Sequence, residues 1–257
     1  MTGSIGLRRE GAAAWITIRN ERRLNTLNAA LMAEFVEAAE SLRADDSLRA
    51  VVVTGEGDRA FIGGADINEM AALADGAAAR AFITRVHRCC AVLRELPVPV
   101  IAAVDGYCFG AGLELAAACD VRVATEASTF GMPEVMVGIP SVVEAALLPG
   151  LIGWGRTRRL LLLGERIDAM EALAWGLVEK VVPGAAALDR AVAGWLHHLD
   201  EAGPAAVRRQ KALIRRWEGL PLGEAIAAGV DAFAAAWDTD EPRRMLRAFV
   251  ERPRKKG

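Results

Sequence analysis

Residues Val100 to Ala124 constrain the fold of this chain most strongly. Val100 to Val104 is a continuous apolar run, Asp105 to Gly112 a glycine-rich turn, Leu113 to Cys119 an almost wholly apolar helical stretch, and Val121 to Ala124 a second strand-like run. A short apolar run bounded by turn signals reads as a buried strand, and a helix apolar on nearly every side must itself be covered. The segment therefore predicts strand, tight turn, buried helix and strand.

The same alternation extends on either side. Trp15 to Arg19 reads as a strand, and Asn28 is placed to cap an amphipathic helix running to about Arg43. Ala50 to Thr54 is a strand, Gly55 to Met70 a glycine-punctuated loop, and Gly76 to Leu96 a long helix carrying Phe82, Val86 and Leu93, which Pro97 and Pro99 end. From Val142 onward the patterns are helical, over 142–149, 154–163, 168–175, 185–200, 204–217, 222–237 and 240–251. The expectation is an α/β front with a helical tail and no composition break to mark a linker. Helices as short as those of the tail need a surface to pack on, in this chain or in a neighbouring subunit.

Composition narrows the function classes. The 257 residues are 53% hydrophobic, much of it alanine, which suits closely packed helices. The 31 basic and 33 acidic side chains leave a formal charge of -2, so no whole-protein field favours nucleic acid or a membrane surface. No apolar stretch approaches the roughly 20 residues that span a bilayer, and MTGSIGLRREGAAAWITI lacks the pattern of a secretory signal, so a cytoplasmic protein is expected. Cys89, Cys90, Cys108 and Cys119 have neither metal-ligand spacing nor the density of a disulfide scaffold and read as core thiols. His87, His197 and His198 read as structural, and no metal site is expected.

Three segments carry candidate chemistry. In Gly106-Tyr107-Cys108-Phe109-Gly110-Ala111-Gly112-Leu113-Glu114 a glycine turn feeds a helix start, whose free N–H groups and positive dipole end suit an oxyanion. Glu114 lies in that apolar helix, and a carboxylate there must be paired, hydrogen-bonded or shifted in pKa. Glu134, in FGMPEVMVGIP, is a second acid in apolar surroundings, and two such acids suit general acid/base work near neutral pH. Phe61-Ile62-Gly63-Gly64-Ala65-Asp66-Ile67 offers a further backbone N–H at Ala65. Each segment alone is equally a plain turn or a satisfied structural carboxylate, and spacing alone does not bring them together.

Taken in order, FIGGADI, AAVDGYCFGAGLELAAACD and FGMPEVMVGIP resemble the signature of the crotonase superfamily, specifically its enoyl-CoA hydratases, with similarity from about Trp15 through Val182. The resemblance implies a spiral of ββα units over about residues 1–195, a helical C-terminal region over 196–257, and homotrimers or homohexamers. It implies an oxyanion hole from the N–H groups of Ala65 and Ala111, although most relatives carry glycine at the second position. It implies Glu114 and Glu134 as the acid/base pair of syn hydration of a 2-enoyl-CoA thioester, with no metal or redox cofactor. Coenzyme A, as part of the substrate, is expected against Arg23, Leu24, Gly64, Ala65, Asp66 and Ile67, with Lys211 meeting a nucleotide phosphate unless it is a solvated helix charge.

One stretch departs from the family pattern. Gly138-Ile139-Pro140-Ser141-Val142-Val143-Glu144-Ala145-Ala146 is one residue shorter than the usual segment and lacks its glycines. Ser141 and Glu144 are thus acyl-pocket candidates, with Glu144 either a third carboxylate or a solvated helix start. The departure keeps open another acyl-CoA reaction, such as isomerisation or cleavage after hydration. A non-catalytic RNA-binding homologue is a further alternative, motivated by the basic segments Arg208 to Arg216 and Arg252 to Lys256. The basic end reads as a solubilising tail.

Overall fold

The structure, a computed structural model, describes residues 3–251. Strands β1 (Ser4–Glu10) and β2 (Ala13–Arg19) form an antiparallel hairpin. Asn28 then caps α1 (Ala29–Ser41), its side-chain oxygen accepting the Leu31 N–H at 2.8 Å, which satisfies a donor that the helix start leaves open. Leu31, Met32, Phe35 and Ala39 form the buried face of this helix.

Three turns of a spiral follow. The first contains β3 (Ala50–Gly55), β4 (Ala60–Ile62), α2 (Ile67–Ala71) and α3 (Gly76–Glu95). The second contains β5 (Val100–Val104), β6 (Tyr107–Phe109) and α4 (Ala111–Ala118). The third contains β7 (Val121–Thr125), β8 (Thr129–Gly131), the 3-10 turns Pro133–Val137 and Val143–Leu147, and α5 (Leu148–Leu163). The remainder is β9 (Arg166–Asp168), α6 (Ala169–Trp175), β10 (Lys180–Val182), α7 (Ala185–Glu201), α8 (Pro204–Trp217), α9 (Leu222–Ala236) and α10 (Glu241–Val250).

Each turn lays its first strand in a six-stranded sheet ordered β1-β2-β3-β5-β7-β10 and its second in a four-stranded sheet ordered β4-β6-β8-β9. Pairing from β2 through β10 in the first sheet is parallel, which explains why β3 and β5 are apolar runs with no alternation: they are covered on both faces. The fold class expected from the sequence, a ββα spiral with a helical C-terminal region, is the one observed. The four cysteines are free and buried.

Several strands were not legible. Gly55 to Met70 is more than a loop, since it holds β4 and α2, and β6, β8, β9 and β10 are likewise only three residues long. Three residues cannot display a period, so these strands exist because the spiral sets each beside a partner. The helices expected over 142–149 and 154–163 are a 3-10 turn running into one long α5, kinked at Gly153 with φ 77°.

The boundary expected at 195/196 falls inside α7, which covers Ile101, Ala103 and Val123 of the first sheet with Leu188, Ala191 and Val192. α8 docks through cations on backbone oxygens: Arg208 donates to the carbonyls of Asp45 and Leu48, each at 3.0 Å, and Arg215 to that of Arg94 at 2.6 Å. Arg94 lies in the last turn of α3, whose carbonyls lack partners within their own helix. Two cations of the Arg208–Arg216 segment are therefore internal fasteners. An RNA-binding patch needs its cations free, and these two are engaged within the chain. Arg252 to Lys256 lie outside the described residues. α9 and α10 expose Leu222, Ile226, Val230, Phe233, Leu246 and Phe249. Among the described residues no helix is long and apolar enough to cross a membrane.

Candidate active site

The turn from β6 into α4 is shaped by close packing. Gly110, the residue before the helix, has φ 52°, a conformation that favours glycine. Gly112 has no room for a side chain, because a Cβ there would stand 2.1 Å from the Ile62 carbonyl oxygen at the end of β4. Ala111, between them, is the first residue of α4 and is not among the positive-φ positions, so alanine fits without strain. Its N–H is one of the donors a helix start leaves open, and among the described residues it has no hydrogen-bond partner.

Ala65 is presented from the other side. It forms a parallel bridge with Leu27, in which the Leu27 N–H donates to Gly64 O at 2.9 Å and the Asp66 N–H to Leu27 O at 2.8 Å. In a parallel bridge the flanking residues make the bonds, so the central residue directs its own N–H away from the partner strand. The Ala65 N–H accordingly has no partner among the described residues. Gly64, with φ 118°, sits against Phe109 O, just ahead of Gly110 and Ala111. Two open N–H donors on adjoining segments can receive an oxyanion.

The expected coenzyme-binding residues share the edge beside Ala65. The Gly63 N–H donates to Leu24 O at 2.8 Å, and exposed Arg23 pairs with Asp66 at 3.1 Å. Asp66 also accepts the Asn68 N–H at 2.8 Å, capping α2. Burial pushes the Asp66 pKa up, but these backbone bonds and the Arg23 charge outweigh it, and the carboxyl is held below its ordinary value. Ile67 is exposed and Gly64 buried.

Glu114 projects from α4 with 4% of its surface exposed. Its pKa is pushed up to about 8, first by burial, then by the Glu134 charge, with Glu144 adding to the effect and an N–H from Ala145 opposing it. Glu134, on the 3-10 turn that Pro133 opens, places Oε1 against Gly110: a Cβ at Gly110 would be 2.4 Å from it. Its Oε2 accepts the Ser141 hydroxyl at 2.7 Å. The two acids, separate in sequence, thus both lie beside the start of α4, close enough for the charge of one to act on the other.

Ser141 and Glu144 both belong to this centre. Glu144 is 8% exposed, which removes the solvated-helix-start alternative. Its Oε1 lies 2.8 Å from His87 Nδ1, and the N–H of the next residue, Ala145, donates to Glu114 Oε1 at 3.3 Å. His87 was expected to be merely structural; the structure sets it against a carboxylate of the site. Nothing local signals this, because the partners are 57 residues apart and on different turns of the spiral.

Lys211 is placed otherwise than expected. Its Nζ donates to Leu93 O at 3.1 Å, Val98 O at 2.9 Å and Asp120 Oδ2 at 2.7 Å, which engages all three of its hydrogens. It is neither a solvated helix charge nor a free phosphate ligand but a buried fastener of α8. Burial lowers its pKa while Asp120 acts in the other direction. The cleft it borders, about 520 Å³ with Ile101, Trp195 and Ile214, includes neither Glu114 nor Glu134 in its walls.

A family model described as enoyl-CoA hydratase/isomerase matches residues 8–256. The chain is 33% identical to the short-chain-enoyl-CoA hydratase of Clostridium acetobutylicum, over 98% of this chain and 96% of that one. It is also 33% identical to the crotonyl-CoA hydratase of Syntrophomonas wolfei, over 97% and 95%. Among solved structures, an enoyl-CoA hydratase from Bacillus anthracis superposes with a TM-score of 0.91 at 32% identity, covering 96% of each chain. One from Mycobacterium smegmatis gives 0.93 at 29% identity, covering 98% of each.

Proposed function

The chain belongs to the enoyl-CoA hydratase/isomerase family, and on that premise we propose that it adds water reversibly to a 2-enoyl-CoA thioester through Glu114 and Glu134. The enzyme is an enoyl-CoA hydratase, a lyase. The observation that carries the site assignment is the meeting of the two glutamates beside the open N–H groups of Ala65 and Ala111.

In this reading the thioester oxygen accepts hydrogen bonds from the Ala65 and Ala111 N–H groups. As the water oxygen bonds to C3, the electrons of the double bond shift toward C2 and the carbonyl, and the resulting enolate oxygen gains most from the two donors. Glu114, as a carboxylate whose basicity burial raises, takes the water proton, and Glu134, entering the cycle in its acid form, delivers a proton to C2. The carbon chain gains one hydroxyl and one hydrogen, so water is added and nothing is oxidised. Neither metal nor redox cofactor enters the reaction as written; coenzyme A belongs to the substrate and lies along Arg23, Leu24 and the Gly64 to Ile67 backbone. The exposed apolar residues of α9 and α10 support self-association of the trimer or hexamer kind.

Crotonyl-CoA is the test substrate. Wild-type enzyme is expected to raise its mass by that of one water, while Glu114→Gln and Glu134→Gln each lower turnover by about a hundredfold or more with the fold retained. Unchanged turnover in both variants refutes the assignment. A buried third carboxylate at Glu144 favours one second reading, double-bond isomerisation, which leaves the substrate mass unchanged.

A further inference from the structure

The hydration just described leaves a proton imbalance inside the site. Each turnover ends with Glu114 carrying the proton taken from water and Glu134 lacking the one given to C2. Before the next cycle Glu114 must lose a proton and Glu134 must regain one. Glu114 is 4% exposed, so its proton needs a way out.

Four observations converge on the neighbouring Glu144. Its Oε1 is 2.8 Å from His87 Nδ1, and its Oε2 is buried with no hydrogen-bond partner among the described residues. The His87 side chain is 50% exposed while that of Glu144 is 9% exposed, so the pair runs from solvent into the interior. Val143, directly before Glu144, holds φ at 40°, a left-handed conformation strongly disfavoured for a β-branched residue. Strain of this kind persists where surrounding structure demands it and clusters at functional sites. It stands where the chain turns Glu144 inward.

Resting on the hydratase reading, we propose that Glu144 and His87 are positioning residues that form a proton path between Glu114 and solvent. The carboxylic acid of Glu114 gives its proton to the Glu144 carboxylate, directly or over one water. Glu144 passes a proton to the His87 imidazole, and the imidazolium releases one to bulk water. Glu134 takes one proton from solvent in the same cycle, so the enzyme returns to its starting state with no net gain or loss.

The other titratable groups facing Glu144 do not compete for this role. Cys89 and Cys90 of α3 flank it, but burial pushes the Cys89 thiol up to about 12 and Cys90 well up, with the Glu144 and Glu114 charges adding to the latter. Both thiols stay protonated. Arg88 on the same helix faces outward to Glu40 and Glu95. His87 is the group that both touches Glu144 and reaches solvent, and its two ring nitrogens let it take a proton on one side and release one on the other.

The test measures crotonyl-CoA hydration in weak buffer with wild type, His87→Ala and His87→Gln, each checked for an unchanged melting temperature. His87→Ala is expected to lower kcat about tenfold with KM nearly constant, and added free imidazole to restore kcat in proportion to its concentration. His87→Gln keeps a hydrogen bond toward Glu144 but carries no exchangeable charge, so it is expected to be equally slow and not to be rescued. Full kcat in either variant, or a loss in His87→Ala that imidazole does not repair, overturns the proton path while leaving hydration intact. Absence of hydration in the wild type overturns the reading beneath it.

Discussion

Ser141 Oγ donates to Glu134 Oε2 at 2.7 Å, so a residue expected to line the acyl pocket holds an acid whose other oxygen rests against Gly110. A hydrogen bond of this kind contributes roughly 0.5–1.5 kcal/mol and fixes where the carboxyl points. Ser141→Ala is accordingly expected to lower kcat about tenfold with little change in melting temperature. Steady-state kinetics on crotonyl-CoA check this, and wild-type kcat would show that Glu134 is held by packing alone.

Gly110 and Ala111 should respond oppositely to a change of one methyl group. Gly110→Ala forces a Cβ within 2.4 Å of Glu134 Oε1 at φ 52° and displaces the acid, so a loss of about a hundredfold in kcat/KM is expected. Ala111→Gly keeps the backbone donor and is expected to stay within a few-fold of wild type. Kinetics of the two variants side by side decide the point.

The raised pKa of Glu114 gives the activity a direction with pH. The form that accepts the water proton is the carboxylate, so kcat/KM is expected to rise as pH approaches about 8. A profile flat from pH 6 to 9 contradicts Glu114 as the proton acceptor.

The same group sets a stability trend. Its folded pKa, about 8, stands above the ordinary value of 4.5, so the folded chain binds more protons than the unfolded one between those limits. The contribution is fully present below pH 4.5 and is lost as pH rises through about 8. Glu114→Gln removes the buried charge, and is expected to melt higher than wild type at pH 9 by several degrees and to differ little at pH 5. Thermal melts at the two pH values measure it.

Lys211 supplies a contrast. Lys211→Met removes all three donors from Leu93 O, Val98 O and Asp120, and leaving buried acceptors unpaired is expected to destabilise the chain by about 3–5 kcal/mol. At a temperature where the variant remains folded, its KM for crotonyl-CoA should match wild type. A raised KM with unchanged stability would return Lys211 to phosphate binding.

Much of the architecture was readable because length makes a pattern. The apolar run Val100–Val104, the helix Gly76–Glu95 and the Asn28 cap all carry their signal within one element. The three-residue strands β4, β6, β8, β9 and β10 do not, since pairing across turns of the spiral creates them. The same division runs through the site. Ala65, Ala111, Glu114 and Glu134 sit in motifs whose order identifies the family, whereas the contacts of Glu144 and Lys211 depend on what distant segments bring to them.

The sequence by itself determined the family, the alternation of strand and helix and the acids that chemistry requires, because buried strands, tight glycine turns and a carboxylate in an apolar helix each leave a local mark. Only the tertiary structure decided which groups face one another. It set Glu114 beside Glu134, tied Glu134 to Ser141, set His87 against Glu144 and buried Lys211 among carbonyls. The physical reason is range: periodicity and turn chemistry act over a few residues, while hydrogen bonds and charge interactions act through space between segments that the spiral brings together.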